Sequence, residues 1–161
     1  MRRLLSTAAI TPATREEGEA WYEESVKPQR RHTHNFSIRV LDDGRLIGGI
    51  HLNVLHPKHD TGWLSIYLGE RDTWGRGYGS DATRLLLGFA FDELNLHRVE
   101  LSVFDFNARA IRAYEKVGFR HEATRRAALY REGAFHDVHV MGILRHEWEA
   151  LARPTRWQTT E

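Results

Sequence analysis

Three glycines, Gly75, Gly77 and Gly79, stand at alternate positions just before a run of apolar residues with helical spacing. A glycine loop that enters a helix points several backbone N–H groups into one concavity, where the helix dipole also favours negative charge. The pattern therefore predicts a phosphate-binding loop. A flexible turn whose glycines serve packing is the alternative that the loop alone leaves open.

Two common kinds of nucleotide-binding loop do not fit this segment. A dinucleotide-binding fingerprint needs a further glycine where this chain has Ser80, and it needs strands that alternate with helices from the start. A nucleotide-hydrolysing loop needs a Gly-Lys pair followed by Ser or Thr, and the segment from Trp74 to Ser80 contains no lysine. Nucleotide hydrolysis is therefore disfavoured.

Asn107 and Tyr114 are a second pair of residues that could do chemistry. They are seven positions apart, which is two helical turns, so both project from one helix face toward the same groove. Asn107 is also an ordinary helix N-cap, and the two roles are compatible. From spacing alone, a core tyrosine packed beside Ile111 and Val117 is an equally good interpretation of Tyr114.

The elements that must position these residues follow from the periodicity of the apolar side chains. A capping-box pattern predicts a short amphipathic helix from Thr14 to Val26. Alternating apolar residues predict a hairpin of strands at Phe36–Val40 and Leu46–Leu52, and a third strand at Trp63–Leu68. Three consecutive strands indicate an antiparallel meander.

Two strand-to-helix units and a closing hairpin are predicted after this meander. In order, they are a helix from the glycine loop to Leu94, a strand at Val99–Val103, a helix from Asn107 to Gly118, and strands at Thr124–Tyr130 and His136–Leu144. The whole chain, 1–161, is predicted to be a single domain with its core over about 36–148. Residues 153–161 are expected to be a frayed tail.

Composition excludes several classes of protein. The 161 residues are 41% hydrophobic and 28% charged, as in an ordinary soluble domain. A formal net charge of +1 gives no field that would favour nucleic acid or a membrane surface, and no segment resembles a membrane span or a signal peptide. The absence of cysteine excludes disulfides, thiolate zinc sites and a cysteine nucleophile, and is compatible with a cytoplasmic location.

The remaining histidines and arginines have simple interpretations. None of the ten histidines forms a convincing ligand triad, so no metal site is expected. The arginines near the last hairpin, Arg120, Arg125, Arg126 and Arg131, predict a solvated strand face. Anchoring of a cofactor phosphate or an acidic substrate is the alternative.

Four motifs occur in a characteristic order, at Glu70–Ala82, Leu96–Leu101, Asn107–Phe119 and His136–Asp137. Together they resemble the GNAT superfamily of N-acetyltransferases, and within it the branch that includes the ribosomal-protein N-terminal acetyltransferases. The resemblance spans roughly 36–148. It implies an α+β fold in which a mixed central sheet, containing an antiparallel meander and flanked by helices, splays open between two central strands.

The resemblance also implies a co-substrate, acetyl-CoA, and a site for it. The pyrophosphate of coenzyme A would lie on the glycine loop, formed by Trp74, Gly75, Arg76, Gly77, Tyr78, Gly79 and Ser80. Backbone groups of Tyr67, Leu68 and Gly69 would pair with the pantetheine arm like an added strand. Asn107 would hydrogen-bond the cofactor, and Tyr114 would protonate the coenzyme A sulfur.

The chain departs from the family pattern in two places. Trp74 stands where the family often has Gln or Arg, so one polar contact to the cofactor is expected to be missing. Family members usually carry an N-terminal strand and two helices before the first hairpin, and only about 35 residues precede Phe36 here. We therefore expect part of the acceptor side either to be missing or to be supplied by another element or subunit.

The general base is not assigned by the resemblance. In related enzymes a carboxylate five residues before the asparagine can serve, and this chain has Ser102 there. Glu100 lies on the same strand face and could act through a water chain, with a solvated carboxylate or a partner of Arg98 as the alternative. Glu70 is a weaker candidate, and no base is needed if the amine loses its proton to water before binding.

The predicted function is direct transfer of acetyl from acetyl-CoA to a primary amine in a ternary complex. The acceptor is either a protein N-terminus or a small amine such as a polyamine, an amino acid or an aminoglycoside. A non-catalytic acyl-CoA-binding or assembly module is the alternative, and a wider acyl donor such as succinyl-CoA stays open. An uncovered sheet edge would favour a homodimer.

Overall fold

The motifs lie on one six-stranded sheet with helices packed against it. The computed structural model describes residues 14–21, 23, 32–56 and 58–151. Its elements are α1 (Arg15–Trp21), β1 (Thr33–Arg39), β2 (Leu46–His56), β3 (Thr61–Leu68), α2 (Tyr78–Gly88), β4 (Arg98–Phe104), α3 (Ala108–Glu115), β5 (Arg120–Arg131), β6 (Ala134–Leu144) and α4 (Arg145–Ala150). The strand order is β1-β2-β3-β4-β6-β5, and only β3 and β4 run parallel.

The predicted antiparallel meander is confirmed in β1, β2 and β3. Ile50 of β2 lies opposite Phe36 of β1 and Ile66 of β3, so the apolar faces of the three strands are in register. Leu52 and Leu64 are fully buried on this side, where the helices cover the sheet. The period-two alternation of apolar residues in these strands therefore predicted correctly which face of the sheet the helices cover.

The predicted opening between the two central strands is also present. β3 and β4 pair only at their first residues, where Thr61–Trp63 lies opposite Arg98–Glu100. Beyond this point the two strands have no ladder between them, although β3 stays paired with β2 and β4 with β6. The divergence of two parallel strands leaves a wedge-shaped slot inside the sheet.

The glycine loop connects β3 to α2 at the open end of this slot. Gly75 and Gly77 have φ values of +76° and +92°, in the left-handed region that favours glycine. The helix then buries Leu86 and Leu87 against the sheet, and a π-helical turn at Phe89–Glu93 carries it to Leu94, the predicted end. The loop geometry therefore depends on glycine at two of its three positions.

Several elements differ from their predicted bounds or lie outside the described residues. β5 begins at Arg120 rather than Thr124, because its first residues pair with β6 before a break in register between Arg125 and Leu129. The helix α4 was not predicted, and it is held by Trp148, which is 7% exposed and packs on Phe91 at 6.2 Å between ring centroids. Two further predictions fall outside the described residues, namely the end of the helix predicted at 14–26 and the tail at 153–161. No helix in the described ranges is long and apolar enough to cross a membrane.

Candidate active site

The slot between β3 and β4 is a groove of about 550 Å³. β3 contributes Trp63 to Leu68 to one wall, and β4 contributes Ser102 and Phe104 to the other. The glycine loop lies at one end, and α3 covers one side. Residues that the sequence placed far apart, Gly77 and Tyr114 among them, therefore line a single cavity.

The backbone of β3 faces this slot without a strand partner. Among the described residues, Leu64–Leu68 pairs with β2 but with nothing on the side of β4. Backbone N–H and C=O groups on an open strand edge can bind an extended ligand as an added strand. The predicted residues Tyr67 and Leu68 lie on this edge.

The first turn of α2 presents its backbone N–H groups to the groove. The helix begins after Gly77, and no side chain caps it. Asp81 donates its N–H to the carbonyl of Gly77 at 3.0 Å, as a helix should, while the N–H groups before it have no helical acceptor. Gly75, Gly77, Tyr78, Gly79 and Ser80 all line the groove, so this end of α2 is suited to an anion.

Trp74 supports the loop from the side. Its indole N–H donates to the carbonyl of Leu68 at 3.1 Å, which ties the loop to the end of β3. The guanidinium of Arg109 lies 3.8 Å from the centroid of the Trp74 ring, and that of Arg71 lies 5.9 Å from it. Where a polar loop residue was expected, the chain therefore has an aromatic ring that binds cations.

Three cations of α3 and its C-cap line the groove, and they were not predicted from the sequence. Arg109, Arg112 and Lys116 recur at helical spacing and face the same cavity. Among the described lining residues there is no aspartate or glutamate. Their spacing was visible in the sequence, but the direction in which that helix face points depends on how α3 packs. The cavity is thus electropositive on one side.

Tyr114 lies both against the core and at the groove, as each of the two interpretations from the sequence requires. Its ring packs against the core and makes an edge-to-face contact with Phe119 at 5.9 Å, and it also lines the groove. Burial raises the pKa of Tyr114 to about 12. The hydroxyl therefore keeps its proton at neutral pH, as a proton donor must.

Asn107 is likewise both an N-cap and a groove residue. Its side-chain oxygen accepts from the N–H of Ala110 at 3.3 Å at the start of α3, and the residue lines the cavity. The side-chain amide nitrogen is the group that would be left to a ligand. Asn107 and Tyr114 therefore lie along the same wall of the slot.

Glu100 is placed differently from the sequence prediction. It does not line the groove, and its carboxylate pairs with Arg98 at 2.9 Å. Arg98 also pairs with Glu122, with one contact at 2.6 Å, so three charged groups form one network on β4 and β5. The geometry favours the alternative interpretation of Glu100 as a partner of Arg98, because the carboxylate is already engaged by the guanidinium and lies off the groove.

Two of the other predicted residues also lie off the groove. Gly69 donates its N–H to the carbonyl of Ile47 at 2.8 Å, so this group is already used within the sheet. Arg76 packs its guanidinium 5.8 Å from the centroid of the Tyr78 ring. Neither residue lines the cavity, in contrast to the other predicted loop and strand residues.

Ser102 lines the groove with a hydroxyl that has no hydrogen-bond partner among the described residues, although the oxygen is buried. It occupies the position where the family pattern allows a carboxylate. A buried polar atom without a partner is costly, and ligands or water commonly satisfy such atoms. Ser102 is therefore a polar contact point in an otherwise apolar part of the slot.

The arginines of the last hairpin do not act together. Arg120 pairs with Glu147 at 2.8 Å, Arg125 and Arg126 are exposed, and Arg131 is buried with its guanidinium 5.8 Å from the centroid of the Phe106 ring. None of them lines the groove. This distribution does not support a shared phosphate anchor at that hairpin.

An open central slot beside an uncapped helix start is the arrangement that an acyl-CoA-dependent acyltransferase would need. The family profile described as Acetyltransferase (GNAT) domain matches residues 1–120, and the chain belongs to this family. It is an acetyl-CoA-dependent N-acetyltransferase that acts on an amine.

Curated relatives are N-acetyltransferases. The probable N-acetyltransferase YjcK of Bacillus subtilis is 32% identical over 124 residues, which cover 76% of this chain and 67% of YjcK. The putative ribosomal N-acetyltransferase YdaF of the same organism is 30% identical, covering 80% of this chain and 72% of YdaF. The spermidine N(1)-acetyltransferase of Vibrio cholerae is 27% identical, with 80% of both chains covered.

Solved structures share the fold. A spermidine N-acetyltransferase from Vibrio cholerae, in complex with CoA and spermine, superposes with a TM-score of 0.75 over 86% of this chain and 79% of that chain. The two sequences are 24% identical. At this level the comparison confirms the predicted fold class, with its mixed sheet and flanking helices.

Proposed function

We propose that this enzyme holds acetyl-CoA in the slot between β3 and β4 and acetylates the free α-amine of a protein N-terminus. The observation that carries the cofactor placement is the uncapped start of α2 at Gly77, which faces the same groove as the open edge of β3. The pyrophosphate would accept hydrogen bonds from the first N–H groups of α2. The pantetheine arm would pair with the backbone of Tyr67 and Leu68.

The side chains around the slot then have distinct roles in the proposal. Asn107 hydrogen-bonds the pantetheine arm, and Tyr114 donates its proton to the departing sulfur. Arg109, Arg112 and Lys116 supply positive charge to the phosphates of the cofactor. The oriented backbone of β3 polarises the thioester carbonyl, so that positioning and electrostatics supply most of the rate.

The choice of acceptor rests on the charges that line the groove. A polyamine carries several positive charges and would need carboxylates, whereas the described lining residues include three cations and no carboxylate. Glu100 and Glu122 are both taken up by Arg98. An N-terminal α-amine brings a single charge and has an ordinary pKa of about 7.7 to 8.0, so it is also easier to deprotonate.

A polyamine acceptor is the second candidate. It is favoured by the likeness to the spermidine N(1)-acetyltransferases and by their shared fold. We further propose that the enzyme is cytoplasmic. We also propose that it forms a homodimer along an edge strand, β1 or β5.

The test is an acetylation assay with a panel of acceptors at fixed acetyl-CoA. Release of free coenzyme A is followed with N-terminal peptides, with the same peptides blocked at the α-amine, and with spermidine. We expect turnover with the free peptides and none with the blocked ones, with the product mass higher by one acetyl group. If spermidine were acetylated and no peptide were, the acceptor would be a polyamine and not a protein N-terminus. No turnover with any amine would contradict the proposal.

A further inference from the structure

His51 lies one strand away from the slot, on the sheet face that also carries Ser65 and Tyr67. The register places His51 of β2 directly opposite Ser65 of β3, and both Ser65 and Tyr67 line the groove. On its other side, His51 lies opposite Asn35 of β1. An imidazole therefore stands next to the groove wall, in a place that no motif identified.

The contact with Asn35 determines which nitrogen of His51 carries the proton. Nδ1 of His51 lies 2.7 Å from Oδ1 of Asn35. An amide oxygen only accepts hydrogen bonds, so Nδ1 must be the donor and hold the proton. In the neutral ring, Nε2 then carries the lone pair. This tautomer is the one that a general base needs.

The surroundings of His51 keep it neutral. The ring stacks on Tyr67 at 5.8 Å with 19° between the planes, and burial lowers its pKa below the ordinary value. The stack depends on Gly49, because a methyl group there would lie 2.8 Å from Cε1 and Oη of Tyr67. Among the described residues, Asn35 from β1 and Ser65 and Tyr67 from β3 lie beside His51, and none of the three is an aspartate, glutamate, lysine, arginine or histidine.

We propose that His51 is the proton acceptor for the amine substrate, with Asn35 as its positioning residue. The inference rests on the proposed function. His51 would be the general base, a role that Glu100 cannot fill while its carboxylate is bound to Arg98. Ser65 lies directly opposite His51 and lines the groove, so the proton would pass from the amine to Nε2 by way of this hydroxyl. A neutral imidazole can accept the proton of an α-ammonium group, whose ordinary pKa of about 7.7 to 8.0 is well below that of a lysine.

The proton and electron balance is complete with these groups. The ammonium of the acceptor loses one proton to Nε2 of His51 and becomes a neutral amine. The amine forms the C–N bond with the thioester carbonyl, the C–S bond breaks, and its electron pair leaves with the sulfur. Tyr114 gives its proton to the sulfur and regains one from the acylated nitrogen through water. His51 releases its proton to the solvent.

The test compares His51→Gln and Asn35→Asp with wild type over a range of pH, using a peptide acceptor. A matched control is His34→Gln, because His34 is also part-buried with a lowered pKa but packs on Phe89 on the opposite sheet face. We expect kcat/KM of wild type to fall as the pH drops below about 6.5. His51→Gln should lower kcat by about a hundredfold and remove this fall, with unchanged affinity for acetyl-CoA.

Asn35→Asp provides a readout that a purely structural role would not give. A carboxylate at Nδ1 stabilises the imidazolium and raises the pKa of His51, so the acid limb of kcat/KM should move to higher pH. The same titration followed by nitrogen NMR of wild type should show the proton on Nδ1. An acid limb that is unmoved in Asn35→Asp, a proton on Nε2, or full activity in His51→Gln would each overturn the inference while acetyl-CoA binding and turnover still support the proposed function. Wild type that neither binds acetyl-CoA nor acetylates any amine would overturn both.

Discussion

The guanidinium of Arg109 lies 3.8 Å from the centroid of the Trp74 ring, so α3 and the glycine loop touch across the mouth of the slot. The indole N–H of the same tryptophan binds the carbonyl of Leu68. One residue therefore links three walls of the groove, namely the end of β3, the loop and α3. The arrangement holds a cation beside the helix start that would bind the pyrophosphate.

Replacing Arg109 with Gln should raise the Kd of acetyl-CoA about three- to tenfold. The change removes a stacked cation from the groove and a contact worth about 0.5 to 1 kcal/mol at an exposed site. Calorimetric titration at two salt concentrations should also show a weaker salt dependence than in wild type. Arg39→Gln on β1 is the control, since its guanidinium donates to the carbonyl of Gly44 and does not line the groove. Equal Kd values for Arg109→Gln and Arg39→Gln would show that Arg109 does not contribute to acetyl-CoA binding.

Replacing Tyr114 with Phe should lower kcat by about a hundredfold and leave the Kd of acetyl-CoA nearly unchanged. The ring and its packing on Phe119 remain, and only the proton donor is lost. Because the pKa of Tyr114 is raised to about 12, its ionisation should not limit wild-type activity at any pH below about 11. Steady-state kinetics with Tyr130→Phe, an exposed tyrosine of β5, give the comparison. A kcat equal to wild type would show that the thiolate leaves without help from Tyr114.

Replacing Glu100 with Gln should change kcat by no more than about twofold. Arg98 keeps its second partner, Glu122, so the network survives the loss of one carboxylate. The informative measurement is the pH profile of kcat/KM. If the variant lost both its rate and its acid limb, Glu100 would be the base after all and the role given to His51 would be wrong.

Glu122 should make the stability of the fold depend on pH. The hydrogen bond from Arg98 lowers the pKa of Glu122, so its stabilising effect is present above its unfolded pKa and is lost as the pH falls through the folded value. Both side chains are partly exposed, and the effect at pH 7 should be no more than about 1 kcal/mol. Urea unfolding of Glu122→Gln should show lower stability than wild type at pH 7 and no difference near pH 3. A difference that persists in acid would mean that packing rather than charge is responsible.

The parts of the site that depend on local chain geometry could be predicted from the sequence. The positive φ angles of Gly75 and Gly77 and the N-cap at Asn107 are set by neighbours in the chain, and the spacing of Asn107 and Tyr114 is fixed by the helix. The alternation of apolar and polar residues in β1, β2 and β3 similarly predicted which face of each strand is buried. The family motifs identified the same residues because they encode this local geometry.

The parts that failed or were missed depend on contacts between distant residues. The pairing of Glu100 with Arg98 was one of two interpretations that the sequence left open, and the contact of the same arginine with Glu122 on another strand was not predicted. The pair of Asn35 and His51 forms only through the register of a hairpin, sixteen residues apart. Such contacts cannot be read from periodicity, because the face of a strand is predictable while its cross-strand partner depends on register.

The most direct test of the account is a calorimetric titration of acetyl-CoA into wild type, Gly77→Ala and Gly44→Ala. Both glycines have positive φ, at +92° and +68°, and an added methyl would have no close neighbour at either place, so each variant adds backbone strain without a steric clash. Only Gly77 lies at the start of α2 beside the slot. We predict micromolar binding to wild type and to Gly44→Ala, and a Kd at least about tenfold higher for Gly77→Ala. A folded wild type that does not bind acetyl-CoA, or equal binding by all three proteins, would contradict the placement of the cofactor in this slot.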